Sequence, residues 1–342
     1  MTSRELIKRV IEFDNAERPG YCFNRPNFSD IAISYGRDYK RFATVDDSYK
    51  EWGEYPEILA KVPGFGGQVR VINGNIFGRL EGKTVNGECI KGAIEDGWEG
   101  FDEYYKNYLE PALSCEPQTD NIKAWVKENE GKFLVAPVQS LQAGVRDSRK
   151  MDNMLADTLL EPENIKNMVE IYADIACRDA EVYASLGYDG IIIYDDWGIQ
   201  HSLYINPKSW REIWKGAYGK VAAAAHRHGL KMMLHSCGYI IDVIPDMIEA
   251  GIDVLQLDQP ELFGSEVLGK KFGGKVTFFS PVDIQKIMAT GKRELIESTA
   301  RKMKEHLFVN GGGLIAKDYP TWEDIDVKDE WAQWARDIFM EK

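Results

Sequence analysis

From residue 133 onward, short apolar runs alternate with longer segments whose apolar residues recur at helical spacing. FLVAPV (133–138), GIIIY (190–194), LKMMLHS (230–236), IDVLQL (252–257), KVTFFS (275–280) and GGLIAK (312–317) have strand length and few polar breaks. Between the first two, Ile165, Met168, Tyr172, Ile175, Val182 and Leu186 share a helical face, and Gly187 stops the helix. Residues 207–229 open with Pro207 and close with Gly229, which predicts another helix. Helical patterns follow in IIDVIPDMIEAG, in SEVLGKKFGG and over 283–307, and a Trp-rich helix over 322–341 ends the chain.

Six near-continuous apolar strands separated by helices predict a parallel sheet covered by those helices. The fold class is α/β, and the architecture a (β/α)8 TIM barrel once two more strands are found. PGYCFN (19–24) and QVRVIN (68–73) are the candidates. Residues 25–131 are less periodic and read as long loops and helices inserted around one mouth of the barrel. No composition shift marks a linker, so 1–342 reads as a single domain. An open doubly wound sheet is the main rival, but no glycine-rich phosphate loop follows the first strand.

Composition narrows the function classes. The 342 residues are 44% hydrophobic, enough for a large core, and the formal net charge is −13. That balance disfavours nucleic acid and anionic membrane surfaces, both of which attract clustered Lys and Arg. No run approaches a membrane span, and MTSRELIKRVIEFDN lacks the apolar segment of a secretory signal. Five scattered cysteines make no disulfide framework and fit a reducing cytoplasm.

In such a barrel the active site lies at the C-terminal strand ends. Polar residues stand there in number: Gln139 and Arg146, then Asp195, Asp196, Gln200 and His201, then His235 and Cys237, then Asp258, then Ser280, then Lys317, Asp318 and Tyr319. Asp195, Asp196 and Gln200 are the catalytic candidates, and Gln139, Arg146, Asp258 and Ser280 the substrate contacts. His235 and Cys237 are two apart, so on a strand they share a face. An imidazole nitrogen beside a sulfur suits zinc, which needs at least one more protein ligand. Asp195, Asp196, Asp258 and Asp318 are available at neighbouring strand ends, and Asp318 is taken as the expected third ligand. The plainer reading has His235 bonded to a backbone carbonyl and Cys237 packed as a small hydrophobe. For Asp195–Asp196 it is a turn followed by a helix cap. Spacing alone does not separate these readings.

YDDWGIQHSLYINPKSWREI, followed by HRHGLKMMLHSCGYIIDVIPDMIEAGIDVLQ, resembles the uroporphyrinogen decarboxylase superfamily. The joint pattern is D-D-x-G-x-Q, a proline-led helix, H-S-C-G, a helix and G-I-D-V-L, and the likeness covers roughly 130–325. It implies a (β/α)8 barrel and one of two activities. One is cofactor-free decarboxylation of an acidic porphyrinogen. The other is methyl transfer to or from a corrinoid, usually with zinc. The decarboxylases carry an arginine-rich R-Q-A-G-R segment near the N-terminus. Here NRPNFSD (24–30) offers Arg25 alone, and LQAG occurs only at 141–144, after a mid-chain strand. A substrate with many carboxylates wants several arginines.

In the coenzyme M methyltransferases of this superfamily, H-x-C is followed by a later cysteine. Its place here falls in NGGGLIAKDYP, where Gly311, Gly312 and Gly313 stand. Either zinc is held by His235, Cys237 and a carboxylate, a set suited to activating an ether oxygen, or the site has no zinc. The resemblance therefore implies a zinc-assisted methyltransferase. It moves a methyl group from a small methylated substrate, with aromatic methyl ethers in view, to cobalamin carried by a partner corrinoid protein. Two rivals stay open. One is a metal-free decarboxylase or lyase using Asp195 or Asp196 as the acid. The other is a corrinoid- or tetrapyrrole-binding protein without turnover.

Overall fold

The computed structural model of the chain describes residues 1–34, 49–80, 87–114 and 119–341. Its strands are β1 (Gly20–Cys22), β2 (Ile31–Ile33), β3 (Tyr49–Gly53), β4 (Gln68–Ile72), β5 (Asn75–Arg79), β6 (Glu88–Lys91), β7 (Phe133–Pro137), β8 (Gly190–Tyr194), β9 (Lys231–His235), β10 (Val254–Gln256), β11 (Thr277–Ser280) and β12 (Leu314–Lys317). Eight of them form one parallel sheet in the order β1-β12-β11-β10-β9-β8-β7-β2. The two outermost strands of that order meet through Asp30. Its N–H donates to the Tyr21 carbonyl at 2.8 Å, and its carboxylate accepts the Tyr21 N–H at 3.0 Å. The sheet thus curls into a (β/α)8 TIM barrel.

All six strands expected from residue 133 onward are present, and 19–24 contains β1. The second N-terminal assignment is corrected. QVRVI is a strand, but it belongs to a separate antiparallel sheet in the order β3-β4-β5-β6. Its burial alternates, with Val69 and Val71 inside and their neighbours half exposed. A barrel strand is instead covered on both faces, as in FLVAP, where four of five positions are buried. The eighth barrel strand is Ile31–Ile33, inside the stretch read as loops and helices; three residues are too short for a periodic signal. The sheet β3–β6 also lies in that stretch.

Alternation sorts the strand residues into two sets. Ile31, Phe133, Val135, Ile192, Met233, Val254, Phe279 and Ile315 point into the barrel. Leu134, Ala136, Ile191, Ile193, Met232, Leu234, Leu255, Phe278, Leu314 and Ala316 point out, against the helices. The barrel floor is filled by Leu6, Ile7, Val10 and Ile11 of the helix Ser3–Glu12. These residues make one stripe at helical spacing, and Thr2 and Glu5 cap the helix reciprocally. Arg4 and Lys8 fix it to the buried Asp189, at 2.7 and 3.1 Å.

Asp30 carries the closing seam, because its carboxylate also takes Arg18, at 2.7 and 2.9 Å, and the Ser3 hydroxyl at 2.7 Å. Asp30→Ala leaves the Tyr21 N–H without its side-chain acceptor and should destabilise the fold by about 2–3 kcal/mol. Arg18→Ala should cost less, since Asp30 still holds Tyr21. Denaturant midpoints at unchanged slope would show this ordering.

Candidate metal centre

The parallel register sets Tyr194 beside His235 and His235 beside Gln256. His235 has the inward parity of Met233. Two residues further on, just past the strand ends, Asp196, Cys237 and Asp258 reach the same face. Asp196, His235 and Cys237 form a cluster whose ligand atoms all lie within 4.8 Å of one another. His235 Nε2 is 3.4 Å from Asp196 Oδ1 and 3.5 Å from Cys237 Sγ. The Cys237 N–H also donates to Asp196 Oδ1, at 2.8 Å.

The residues between these ligands stitch the loops together. The Trp197 N–H donates to Ser236 Oγ at 3.0 Å, and the Gly198 N–H to the Cys237 carbonyl at 3.2 Å. Gly238 donates to Gln259 Oε1 at 2.9 Å, which ties in the loop after β10. Gly238 has φ +77°, and a Cβ there would sit 2.0 Å from the Gly198 carbonyl oxygen. The glycines of D-D-W-G and H-S-C-G are therefore where two backbones cross. Trp197 is fully buried, with its ring against Trp210, Trp214 and Tyr218.

The structure divides the predicted site residues. Asp195 has the outward parity and is fully buried. It accepts the N–H groups of Leu141 and Ala143 at 3.1 and 2.9 Å and the Tyr218 hydroxyl at 2.6 Å. Burial pushes its carboxyl above the ordinary range, and these bonds oppose the rise. It fastens the loop after β7 and stands apart from the cluster. Asp318, expected as a ligand, also points outward. It is buried against Arg336, at 2.8–3.1 Å, and accepts the Asn24 N–H at 2.8 Å. The carboxylate that stands beside His235 and Cys237 is that of Asp196 instead. Ser280 has the outward parity of Phe278 and is buried among the strand–helix packing. Gln200 is exposed on the rim and donates to Gln285 at 3.1 Å. Gln139 donates to its own loop, at Ser140. Arg146 contacts Asp147 at 3.0 Å, and its charge reaches Asp196. Asp258 is buried in an ion pair with Lys317 at 2.8 Å. Lys317, Tyr204 and Tyr319 were given no role from the sequence. Lys317 is inward by alternation, and both tyrosines are electrostatically coupled to Asp196 and Cys237.

The sequence pattern described as Uroporphyrinogen decarboxylase (URO-D) matches residues 131–316, more than half of the chain. The chain belongs to the uroporphyrinogen decarboxylase family. The matched span ends just before Lys317 and contains all three cluster residues. No curated protein matches the chain. Among solved structures, a methyltransferase from Methanosarcina mazei superposes over 100% of both chains, with TM-score 0.65 and 12% identity. A chitinase from Flavobacterium johnsoniae covers 66% of this chain and 81% of its own, with TM-score 0.38 and 10% identity. At 12% identity the likeness to the Methanosarcina mazei structure is one of fold.

In this URO-D family chain the cluster fits zinc. Bond lengths of about 2.0–2.3 Å imply edges of roughly 3.3–3.6 Å between tetrahedral N, O and S ligands. The His235–Asp196 and His235–Cys237 separations fall in that range. Electrostatics point the same way. Burial raises the Asp196 carboxyl, but the His235 bond and charge, the Cys237 N–H and Arg146 outweigh it and hold the group well below the usual carboxylate range. Burial alone would lower His235, yet Asp196, Cys237 and Asp258 raise it to about 10. Burial lifts the Cys237 thiol above its ordinary value, and His235 opposes the lift. The pocket attracts positive charge, which a proton or a metal can supply.

Two results follow from this geometry. Gly238→Ala should destabilise the protein by about 2–3 kcal/mol through the positive φ and the clash with Gly198, measurable by thermal or chemical unfolding. Metal binding must displace the protons of His235 and Cys237, so zinc affinity should rise steeply with pH, by up to roughly a hundredfold per unit between pH 6 and 8. Competition with a chromophoric chelator at several pH values would show it. Without metal, the His235 proton stabilises the fold below about pH 6.5, and that contribution is lost as pH rises through about 10.

Proposed function

We propose that this chain is a zinc-assisted methyltransferase. It takes a methyl group from a small methylated substrate, an aromatic methyl ether by preference, and delivers it to the cobalt of a corrinoid carried by a partner protein. The observation that carries this reading is the convergence of one nitrogen, one sulfur and one carboxylate oxygen inside the barrel mouth, all within 4.8 Å of one another, with the imidazole nitrogen 3.4 Å from the oxygen and 3.5 Å from the sulfur. That the Methanosarcina mazei protein sharing this fold is a methyltransferase is in keeping with it.

Asp196, His235 and Cys237 would hold the metal. Bound there, zinc supplies a Lewis acid for the oxygen that loses the methyl group. The chain's own residues do the rest. Asp196 is fixed by the Cys237 N–H, so the carboxylate is positioned before any ligand arrives. Arg146 adds positive charge beside it. Tyr204 and Tyr319 are half-buried aromatic groups coupled to the cluster, and offer flat walls to a ring. A corrinoid presented by the partner would supply the nucleophile for the methyl carbon, and the residues here would favour leaving the bonding electrons on the ether oxygen. The protein's part is orientation and leaving-group activation.

A substrate bearing several carboxylates is poorly served. Lys317 and Arg146, the two cations identified at the site, already face Asp258 and Asp147. This weighs against decarboxylation of an acidic porphyrinogen.

Purified protein washed with chelator should retain, or take up on reconstitution, about one zinc per chain, read by elemental mass spectrometry. His235→Ala and Cys237→Ala should lose it and also lose methyl transfer from methoxyarenes to cob(I)alamin, followed by the absorbance of methylcobalamin. Asp318→Asn should keep its zinc. A folded His235→Ala protein with full transfer would end the metal role, and release of CO2 without methylcobalamin would favour the decarboxylase.

A further inference from the structure

Beside the cluster lies a second polar group that the proposed chemistry leaves unused. Lys317 is the last residue of β12, and register pairs it with Cys22 of β1. Alternation from Ile315 turns it into the barrel. Its ammonium donates to Asp258 Oδ1 at 2.8 Å, with both side chains almost wholly buried. It also lies 5.6 Å from the Phe279 ring centre and 5.9 Å from that of Tyr319. Register sets Gln256 beside His235, and Asp258 stands two residues further on with the same inward parity, so the pair adjoins the cluster.

The pair is not spent on the fold. An ammonium has three donors, and Asp258 is the acceptor for one of them. Among the described residues no other acceptor takes the remaining two, and no donor besides Lys317 reaches the Asp258 carboxylate. A buried ion pair is weak support for stability, because desolvation of both charges offsets their attraction. What the pair does offer is a donor and an acceptor side by side, with no net charge, against aromatic rings. An incoming carboxylate would meet an ammonium already neutralised and a carboxylate that repels it. A hydroxyl suits both partners, since it can accept from the ammonium and donate to the carboxylate.

We propose that Lys317 and Asp258 form a recognition site for a hydroxyl group on the small substrate bound beside Asp196, His235 and Cys237. This rests on the methyl-transfer reading for the identity of that substrate. It adds that the substrate is a hydroxylated methyl ether, anchored at the hydroxyl.

The test is calorimetric binding to the full-length, zinc-loaded protein, with no corrinoid and no turnover. The probes are the three methoxyphenol isomers and methoxybenzene. At least one methoxyphenol should bind about tenfold or more tightly than methoxybenzene, as a buried hydrogen-bonded hydroxyl predicts. The difference should vanish in the double variant Lys317→Met/Asp258→Leu. That variant removes both charges together, so it should fold, and circular dichroism and unfolding would confirm it. Lys317→Met alone, which strands Asp258, serves as the destabilised comparison. Equal affinities, no binding of any probe, or a hydroxyl preference that survives in the folded double variant would overturn the proposal. If the preference is present and lost as expected while no methyl reaches cob(I)alamin, the hydroxyl site stands and the methyl-transfer reading fails.

Discussion

The site depends on the backbone registration of β8 against β9. Tyr194 pairs with His235, and the Asp195 N–H extends the ladder by donating to the His235 carbonyl at 3.1 Å. This bond fixes which residue of the Asp195–Asp196 doublet faces the barrel. A slip of one position would exchange the two faces. Asp195 would then enter the mouth, and Asp196 would be buried against Tyr218. The cluster is therefore a product of the sheet, and the loops beyond it only hold the arrangement.

Those loops are held by groups that have nothing to do with the chemistry. Asp195 bonds the start of the helix Gln142–Arg149 and, through Tyr218, the helix Gly216–Arg227. On the first of these helices, Ser148 meets the hydroxyls of Tyr104 and Tyr172 at 2.8 and 3.0 Å. Asn75 of β5 joins them at 3.3 Å and accepts the Ala93 N–H at 2.9 Å. The antiparallel sheet is thereby anchored to the same helix that carries Arg146. A buried polar network of this kind rigidifies when its members are satisfied.

Much of the barrel was legible because a strand covered on both faces has an unmistakable composition. GIIIY and the MML of KMMLH are apolar, and the helices between strands show their stripe. The two misreadings concern short or alternating segments. Ile31–Ile33 is too brief to show a period, while QVRVI shows the period of a half-exposed sheet, which does not fit a barrel strand. At the site, His235 and Cys237 were legible as a pair, since i and i+2 share a face. The same rule, carried on from Ile192 and Ile315, assigns Asp196 inward and Asp318 outward. Proximity to a strand end alone suggests Asp318, and parity removes it. What parity could not supply is partnership. Nothing in the spacing tells that Arg336, near the end of the chain, neutralises Asp318, or that Lys317 reaches Asp258. Such pairings need the fold, because the partners lie on different elements.

The floor of the barrel has a consequence for traffic. Leu6, Ile7, Val10 and Ile11 seal the N-terminal end with packed side chains, so the interior is a cup and not a channel. Whatever reaches His235 comes over the rim, and whatever leaves goes back the same way. A small molecule seated on the cluster would lie beneath any large body that settles on the rim. Two visitors of unequal size can thus be present together only if the smaller enters first and the larger departs first. The capped N-terminal helix, far from the chemistry, imposes a queue on it.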